Sequence, residues 1–289
     1  VKTVDATASE GDITYTNAAN TVSTIKTGAG NDTVTVNTAT SNVVGSVVNA
    51  LVETGEGDDQ ITVNTTGTGR TTVNAGAGDD IITLTSALTT STRIDGGEGN
   101  DKLVLVDGGD LIAGDYALIR TTVSNVESLE FGATVGADAS ELAQFSELTF
   151  DEAQVAASII DNVAAEQSLV AKGALTAEAA GYVAAGADPA TYAGTLNVTA
   201  QAAAAPVAQA IDVSADTANV TVAAASGVTG AVAASQAATN IATITGDVQT
   251  LNVVTENGVN NADLDVAAAA DTLSVVDITV GTELTELTE

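Results

Sequence analysis

The chain has 289 residues, of which 38 are acidic and 7 are basic, and its formal net charge at pH 7 is −31. So few cations cannot neutralise a run of phosphates, which argues against nucleic acid and anionic membrane surfaces as partners. Histidine and cysteine are absent. Their absence excludes a Ser-His-Asp triad, a thiol nucleophile, an HExxH zinc site and a disulfide framework.

The composition also favours a narrow core and a non-catalytic role. Hydrophobic residues make up 45% of the chain but aromatic residues only 2%, which suits a core of small aliphatic side chains between stacked coils. Asp151 with Glu152, or Asp263 with Asp265, could cleave glycosides as carboxylate pairs. Sugar-processing clefts usually also present aromatic platforms, so we expect a protein that is not an enzyme.

Two further absences concern location and processing. No stretch reaches the roughly 18 consecutive apolar residues of a membrane-spanning helix, so we do not expect a transmembrane protein. The chain contains no methionine, and we therefore expect a processed form or a fragment of a longer protein.

A short phrase containing glycine and aspartate recurs through the first third of the chain. An abbreviated copy at 10–14 is predicted to be a capping coil. Four full copies follow: TGAGNDTVTV from Thr27, TGEGDDQITV from Thr54, AGAGDDIITL from Ala75 and GGEGNDKLVL from Gly96. Their recurring aspartates are Asp32, Asp59, Asp80 and Asp101, so the sequence numbers rise in steps of 27, 21 and 21. Such a period indicates stacked coils, so we predict an all-β parallel β-roll or β-helix solenoid with about 21 residues per coil.

Each coil is predicted to contain two strands. The turns are followed by alternating runs such as 34–36 and 61–63, which are typical of half-buried strands. Second strands are predicted before the turns, at 22–26, 47–52, 71–74 and 92–94. A partial copy of the phrase at 107–110 follows the last full turn.

The turns carry the residue types that bind calcium. Glycines allow left-handed turns that direct backbone carbonyl oxygens inward, and an aspartate nearby adds a carboxylate. Calcium takes six to eight such hard oxygen ligands, more than one turn supplies. Stacking at about 4.8 Å brings the oxygens of neighbouring coils together. Four turns then make three inter-coil sites on one edge of the solenoid, with a partial fourth if Asp12 or Asp110 joins.

Beyond residue 115 the glycine turns fade while the spacing persists. Leucines 129, 148 and 169 follow one another at steps of 19 and 21, Val220 and Ile241 are separated by a step of 21, and Leu251 and Leu273 by a step of 22. We predict a calcium-poor continuation of the solenoid over 116–289, with a joint near 188–206, where both prolines stand. The Ala-rich window 153–187 leaves a short helix as an alternative, because Ala is the best helix former.

The four phrases resemble the RTX nonapeptide, glycine-glycine-x-glycine-x-aspartate-x-apolar-x, which forms calcium-filled parallel β-rolls in bacterial proteins exported by type I secretion. The copy at 96–104 matches every fixed position, whereas Thr27, Thr54 and Ala75 replace the first glycine of the others. The resemblance implies that residues 1–115 form an RTX-type calcium-binding β-roll that holds several Ca²⁺ ions.

The resemblance also implies a set of ligands. It assigns the sixth-position aspartates Asp32, Asp59, Asp80 and Asp101, and the carbonyl groups of Gly28, Gly30, Gly55, Gly57, Gly76, Gly78, Gly97 and Gly99. Further candidates are the fifth-position residues and the aspartate of the capping coil: Asn31, Asp58, Asp79, Asn100 and Asp12.

The later sequence is similar to calcium-dependent surface-layer proteins of Gram-negative bacteria. The similarity is carried by SNVESLEF at 124–131 after the glycine turns, and by GTLNVTA at 194–200 and DTLSVVDITV at 271–280. It implies a secreted protein that assembles with copies of itself on the bacterial cell surface, with a cell-surface polysaccharide as a second candidate partner. An RTX adhesin or an extracellular filament subunit is the alternative, because both would use the same coils.

Overall fold

A computed structural model describes residues 3–17, 23–38, 49–65, 69–151, 157–181, 193–201, 209–223, 242–255, 261–263, 267–268, 275–279 and 286–288. They divide into two compact units, Val1–Phe131 and Gly132–Glu289, whose boundary falls later in the chain than the predicted change at 115. Parallel strands dominate, so the predicted all-β parallel solenoid is confirmed. Most of the predicted joint at 188–206 lies outside the described residues.

Two parallel sheets build the first unit, and the chain alternates between them. The first sheet contains, in spatial order, β1 (Thr3–Asp5), β3 (Ser23–Lys26), β5 (Ala50–Glu56), β7 (Thr71–Ala77), β9 (Thr92–Glu98) and β11 (Val123–Ser124). The second contains β2 (Thr14–Thr16), β4 (Thr33–Thr38), β6 (Gln60–Thr65), β8 (Ile81–Leu84), β10 (Lys102–Leu105) and β12 (Ser128–Phe131). The predicted strands before and after each turn are therefore present.

The register of these strands keeps like residues in columns. Val52 pairs with Val73, and Val73 with Ile94, so the sequence number advances by 21 at each of these coils. Ile25 pairs with Val52 across a longer step of 27, as the spacing of the aspartates predicts. On the second sheet the buried column consists of Val34, Ile61, Ile82 and Leu103. Each of these side chains is at most 1% exposed, and full burial of such a side chain contributes about 1.5–3 kcal/mol.

The first unit also contains a helix, α1 (Ala113–Thr122), that the sequence analysis did not predict. The carboxylate of Asp115 accepts a hydrogen bond from the N–H of Ile112 at 3.0 Å and so caps the first turn, while Tyr116 and Ile119 are buried. The preceding segment 107–110 contains no strand. The partial motif copy predicted there does not build a coil, because the chain continues into a helix. In the described part of the chain, no helix has the length and apolar character needed to span a membrane.

The second unit contains two series of parallel strands that meet at one long strand. The first series is β13 (Gly136–Asp138), β15 (Ser158–Val163) and β17 (Leu175–Ala179), with a 3₁₀ helix at Ala139–Leu142. The second is β14 (Glu147–Phe150), β16 (Ser168–Ala171) and β18 (Thr195–Gln201). Both β17 and β18 pair with β19 (Gln209–Ala223), at 211–214 and 217–223 respectively.

The remaining strands follow β19. Next to it lies β20 (Ala242–Thr255), which pairs with β22 (Ala267–Ala268) and β23 (Val275–Thr279). The last pair is β21 (Asn261–Asp263) with β24 (Glu286–Thr288).

Several predictions for this unit need correction. Within 153–187, the described residues 157–181 form β15, β16 and β17 and not a helix, because alternate side chains are buried in a strand pattern; the rest of that window is not among the described residues. The step from Leu148 to Leu169 is confirmed.

The later predicted steps are wrong. Val220 pairs with Val253, 33 residues later, and Leu251 with Val276, 25 residues later, so both steps exceed the predicted 21 and 22. Ile241 and Leu273 themselves lie outside the described residues.

Candidate metal centre

The glycine turns join the two sheets of the first unit and stack closely on one another. Gly76 and Gly78 have φ of +125° and +132°, and a Cβ there would lie 2.0 and 2.3 Å from the carbonyl oxygens of Gly55 and Gly57 in the preceding coil. Any side chain would collide with that backbone, which is why glycine is required. The other six predicted glycines also lie against the backbone of the preceding coil: Gly28, Gly30, Gly55, Gly57, Gly97 and Gly99.

The four sixth-position aspartates form a ladder along one edge of the solenoid. In each, Oδ1 accepts a hydrogen bond from a backbone N–H of the preceding coil: Ile13 to Asp32 at 2.7 Å, Asp32 to Asp59 at 2.7 Å, Asp59 to Asp80 at 2.8 Å and Asp80 to Asp101 at 2.9 Å. The structure therefore brings the four principal predicted ligands together in one row, which we call the aspartate ladder.

The second carboxylate oxygen of every aspartate in this ladder has no partner. All four Oδ2 atoms are buried without a hydrogen bond, and the four side chains are at most 1% exposed. Buried polar atoms in proteins are nearly always hydrogen-bonded, so four orphan acceptors in a row require an explanation. A carboxylate has only acceptor atoms, so a proton or a cation must provide the missing partner.

Burial also disfavours the negative charge of these groups. Desolvation raises the pKa of Asp59 and Asp101 above its usual range and the pKa of Asp80 to about 7, and nearby carboxylates add to each increase. The negative charges of neighbouring coils repel one another. The aspartate ladder therefore favours the binding of either protons or cations.

The fifth-position residues form a second, exposed ladder that runs in the opposite direction. Each side chain accepts a hydrogen bond from the backbone N–H of the next coil: Asp12 from Asn31 at 2.9 Å, Asn31 from Asp58 at 3.1 Å, Asp58 from Asp79 at 2.9 Å and Asp79 from Asn100 at 2.9 Å. Asp12 thus continues the ladder into the capping coil. These side chains bind the surface of the turns together and add negative charge beside the aspartate ladder.

Glu127 extends the aspartate ladder by one coil and was missed by the sequence analysis. Its Oε2 accepts a hydrogen bond from the backbone N–H of Asp101 at 2.8 Å, the role that Asp101 plays for Asp80. The glycines that mark the other turns are absent before Glu127, so the only signal was an acidic residue just before the paired strand β12. Asp110, proposed as an additional ligand, shows no such contact with the ladder.

The first position of the phrases has two different environments. The hydroxyl groups of Thr27 and Thr54 donate to the carbonyl oxygens of Thr54 and Ala75, each at 2.7 Å. The first-position residues Thr54 and Ala75 thus keep a backbone carbonyl group where the motif has glycine, but that carbonyl accepts a hydrogen bond from the threonine hydroxyl of the preceding coil. At Gly96, in contrast, a Cβ would lie 2.4 Å from Oδ2 of Asp101.

The available donors suit a hard cation, although carboxylates alone do not enclose one. In the described residues, no group of three or more Asp, Glu, His or Cys side chains could hold a metal ion. Each turn does offer one orphan carboxylate oxygen and several carbonyl oxygens, some with a partner already, as when Gly28 accepts from the N–H of Glu56. Calcium accepts mixtures of carboxylate, carbonyl and water oxygens. The residues therefore fit calcium with ligands drawn from neighbouring coils.

A cleft of about 300 Å³ is a separate feature of the first unit. Arg93 and Arg120 line it, as does Asp95, whose carboxylate accepts a hydrogen bond from Asn125 Nδ2 at 2.7 Å. A single carboxylate does not provide the pair of acids that glycoside cleavage requires. Glu152 and Asp265, one member of each carboxylate pair considered above, lie outside the described residues.

Comparison with known proteins gives no match: no family model, no curated protein and no solved structure corresponds to the chain.

Proposed function

We propose that the chain is a secreted, calcium-binding structural protein that assembles with copies of itself on the surface of a bacterial cell. The supporting observation is the row of buried carboxylate oxygens without partners along one edge of the first unit. A net charge of −31 adds repulsion that a folded chain must offset. Calcium held by the Oδ2 atoms of the aspartate ladder and by glycine carbonyls would supply the missing positive charge.

Calcium in this proposal is a structural cofactor. An ion that binds only the folded state at a hundredfold excess over its Kd stabilises that state by about 2.7 kcal/mol. A chain without cysteine has no disulfide that could do the same. Sites with few carboxylates bind calcium weakly, in the range of extracellular modules, which supports a location outside the cell.

The sheet edges of the first unit support self-assembly. Among the described strands, β1 pairs only with β3 and β2 only with β4. Each sheet thus presents unpaired N–H and C=O groups at this end, and such edges are templates for pairing with another chain. A second copy of the solenoid is the occupant that we propose for this edge, as one of the contacts of a lattice.

The alternative functions differ in whether and how copies of the chain assemble. A filament subunit would use the same edge but extend in one direction, and an adhesin would stay monomeric. If the partner is instead a carboxylated surface polysaccharide, Arg93 and Arg120 in the cleft would supply its positive contacts. Catalysis is not part of the proposal.

Two measurements test the proposal. Calcium titration of chelator-treated protein, followed by circular dichroism and thermal unfolding, should raise the midpoint of unfolding by several degrees; an unchanged midpoint would contradict a structural role for calcium. Negative-stain imaging in millimolar calcium should then show ordered sheets. Fibres would support the filament subunit, and single particles would contradict self-assembly.

A further inference from the structure

The aspartate ladder ends at residues that differ from its repeating aspartates. Between the motif coils, the backbone N–H of one aspartate donates to the Oδ1 atom of the next aspartate in the ladder. After Asp101 the next coil has no motif, and the ladder ends at Glu127, while Asn125 comes close to the same turn. Two oxygen-bearing groups that do not repeat elsewhere in the ladder, those of Glu127 and Asn125, thus lie at the turn that holds Asp101.

Asn125 is fixed in an unusual backbone conformation. It follows β11, which pairs with β9 through Val123 with Ile94 and Ser124 with Asp95. Its φ of +50° is left-handed, which is uncommon for a residue other than glycine. The Nδ2 group of Asn125 donates to Oδ1 of Asp95 at 2.7 Å and so helps to hold this conformation. The result is that the backbone carbonyl of Asn125 lies against Gly96.

Two acceptor oxygen atoms lie close together beside the α-carbon of Gly96. A Cβ on Gly96 would lie 2.0 Å from the carbonyl oxygen of Asn125 and 2.4 Å from Oδ2 of Asp101. That Oδ2 atom is buried and has no hydrogen-bond partner. Two acceptor oxygens this close to one point repel each other unless a proton or a cation lies between them. The convergence also explains why the first position is glycine here, whereas threonine or alanine occupies it in the other coils.

Glu127 adds a second carboxylate at the turn that holds Asp101. Its Oε2 accepts the hydrogen bond from the Asp101 N–H at 2.8 Å, which brings its negative charge next to that of Asp101. The two carboxylates together balance the charge of one divalent cation, and the Asn125 carbonyl supplies a neutral ligand of the kind calcium accepts.

We propose that Asp101, Glu127 and the backbone carbonyl of Asn125 form a terminal site for a divalent cation, with calcium as the best match for these oxygen donors. The proposal rests on the proposed calcium-binding function but adds a site whose ligands lie outside the repeated motif. An ion here would close the end of the aspartate ladder, where no further motif coil follows.

Replacement of Glu127 by Gln tests the site with little change in shape. The amide oxygen can still accept the hydrogen bond from Asp101, so a purely structural cap is retained while the negative charge is lost. The matched control is Glu130→Gln in the same coil, since the Glu130 carboxylate forms an ion pair with Lys102 at 3.1 Å. Calorimetric titration of the full chain with calcium should show one ion fewer for Glu127→Gln and an unchanged number for Glu130→Gln.

The outcomes separate this site from the proposed function. If the wild-type chain binds no calcium, both ideas are wrong. If Glu127→Gln binds as many ions as the wild type with the same affinity, Glu127 is only a cap, and the terminal site is wrong while the inter-coil sites stand. If the variant fails to fold, crystals of the wild-type chain grown with calcium decide the question. An anomalous difference peak between Asp101 and Glu127 is expected, and its absence in crystals that show inter-coil ions would overturn the proposal.

Discussion

The aspartate ladder of the first unit and an asparagine ladder of the second unit stack polar side chains in chemically different ways. In the first unit the aspartate ladder consists of acceptors only, and every Oδ2 is buried without a partner. In the second unit Asn197, Asn219 and Asn252 form a ladder in which Asn219 Nδ2 donates to Asn197 Oδ1 at 2.9 Å and Asn252 Nδ2 donates to Asn219 Oδ1 at 2.8 Å. An amide carries both donor and acceptor atoms, so the asparagine ladder satisfies itself, whereas the aspartate ladder needs something from solution.

This difference predicts where the chain depends on calcium. A cation does not stabilise a neutral ladder whose donors and acceptors are already paired, but it strongly stabilises buried carboxylates that repel one another. We therefore expect calcium to act on the first unit and to leave the asparagine ladder of the second unit unchanged.

The largest effect is expected for Asp80→Ala. The substitution removes the acceptor for the buried N–H of Asp59 and an oxygen from the ion positions on both sides of its coil, and an orphaned buried donor alone costs about 1–3 kcal/mol. Asp58→Ala is the matched control, because Asp58 is exposed and caps only one N–H. Urea unfolding in calcium should show a loss of about 3 kcal/mol or more for Asp80→Ala and under about 1 kcal/mol for Asp58→Ala. Equal losses would mean that the ligands are assigned to the wrong position.

A somewhat smaller loss is expected for Gly76→Ala. The new Cβ would lie 2.0 Å from the Gly55 carbonyl oxygen at a φ of +125°, so the turn would have to move away from the preceding coil. We expect a loss of about 2–4 kcal/mol in thermal unfolding together with weaker calcium binding. Gly114→Ala is the control, because a Cβ there meets nothing within 4 Å. Normal calcium affinity in a destabilised Gly76→Ala variant would show that the stacked carbonyls are not ligands.

The pH dependence should change sign with calcium. Burial raises the folded-state pKa of Asp80 to about 7 from an ordinary value of 3.8. Without calcium the folded state therefore binds more protons than the unfolded state between these values, and its stability falls as pH rises from about 4 to 7. With calcium the ionised carboxylate is required, so stability should rise over the same range. Thermal unfolding at several pH values, with calcium and with chelator, checks this, and parallel curves would contradict it.

The smallest effect is expected in the second unit. Asn219→Asp removes the donor to Asn197 and places a charge in the neutral ladder, which should cost about 1–2 kcal/mol. Asn219→Gln is a milder comparison that keeps the amide. Calcium should not restore the stability of Asn219→Asp, because one isolated carboxylate lacks the neighbouring oxygens of the first unit. Restoration by calcium would remove the distinction between the two ladders.

The aspartate ladder was predictable from sequence because its motif is local and repeats almost unchanged, so the stacking follows from the period. Glu127 was not, because it joins the ladder through its position in the fold and carries no glycine turn before it. The helix α1 was not predicted for a related reason: the segment 107–110 resembles the motif, and the burial of Tyr116 and Ile119 that stabilises a helix after it depends on the fold. From β19 onward the spacing alone predicted the wrong steps, since β19 pairs with three strands and its register with β20 differs from the predicted one.

Hydrogen–deuterium exchange of the wild-type chain in millimolar calcium and in excess chelator tests the comparison between the two units most directly. Peptides from β5 to β10 should exchange about a hundredfold faster after chelation, as expected for the loss of a bound ion at a hundredfold excess over its Kd. Peptides from β18 and β19 should exchange at the same rate in both conditions. Equal acceleration in both units, or none in either, would contradict the assignment of calcium to the aspartate ladder.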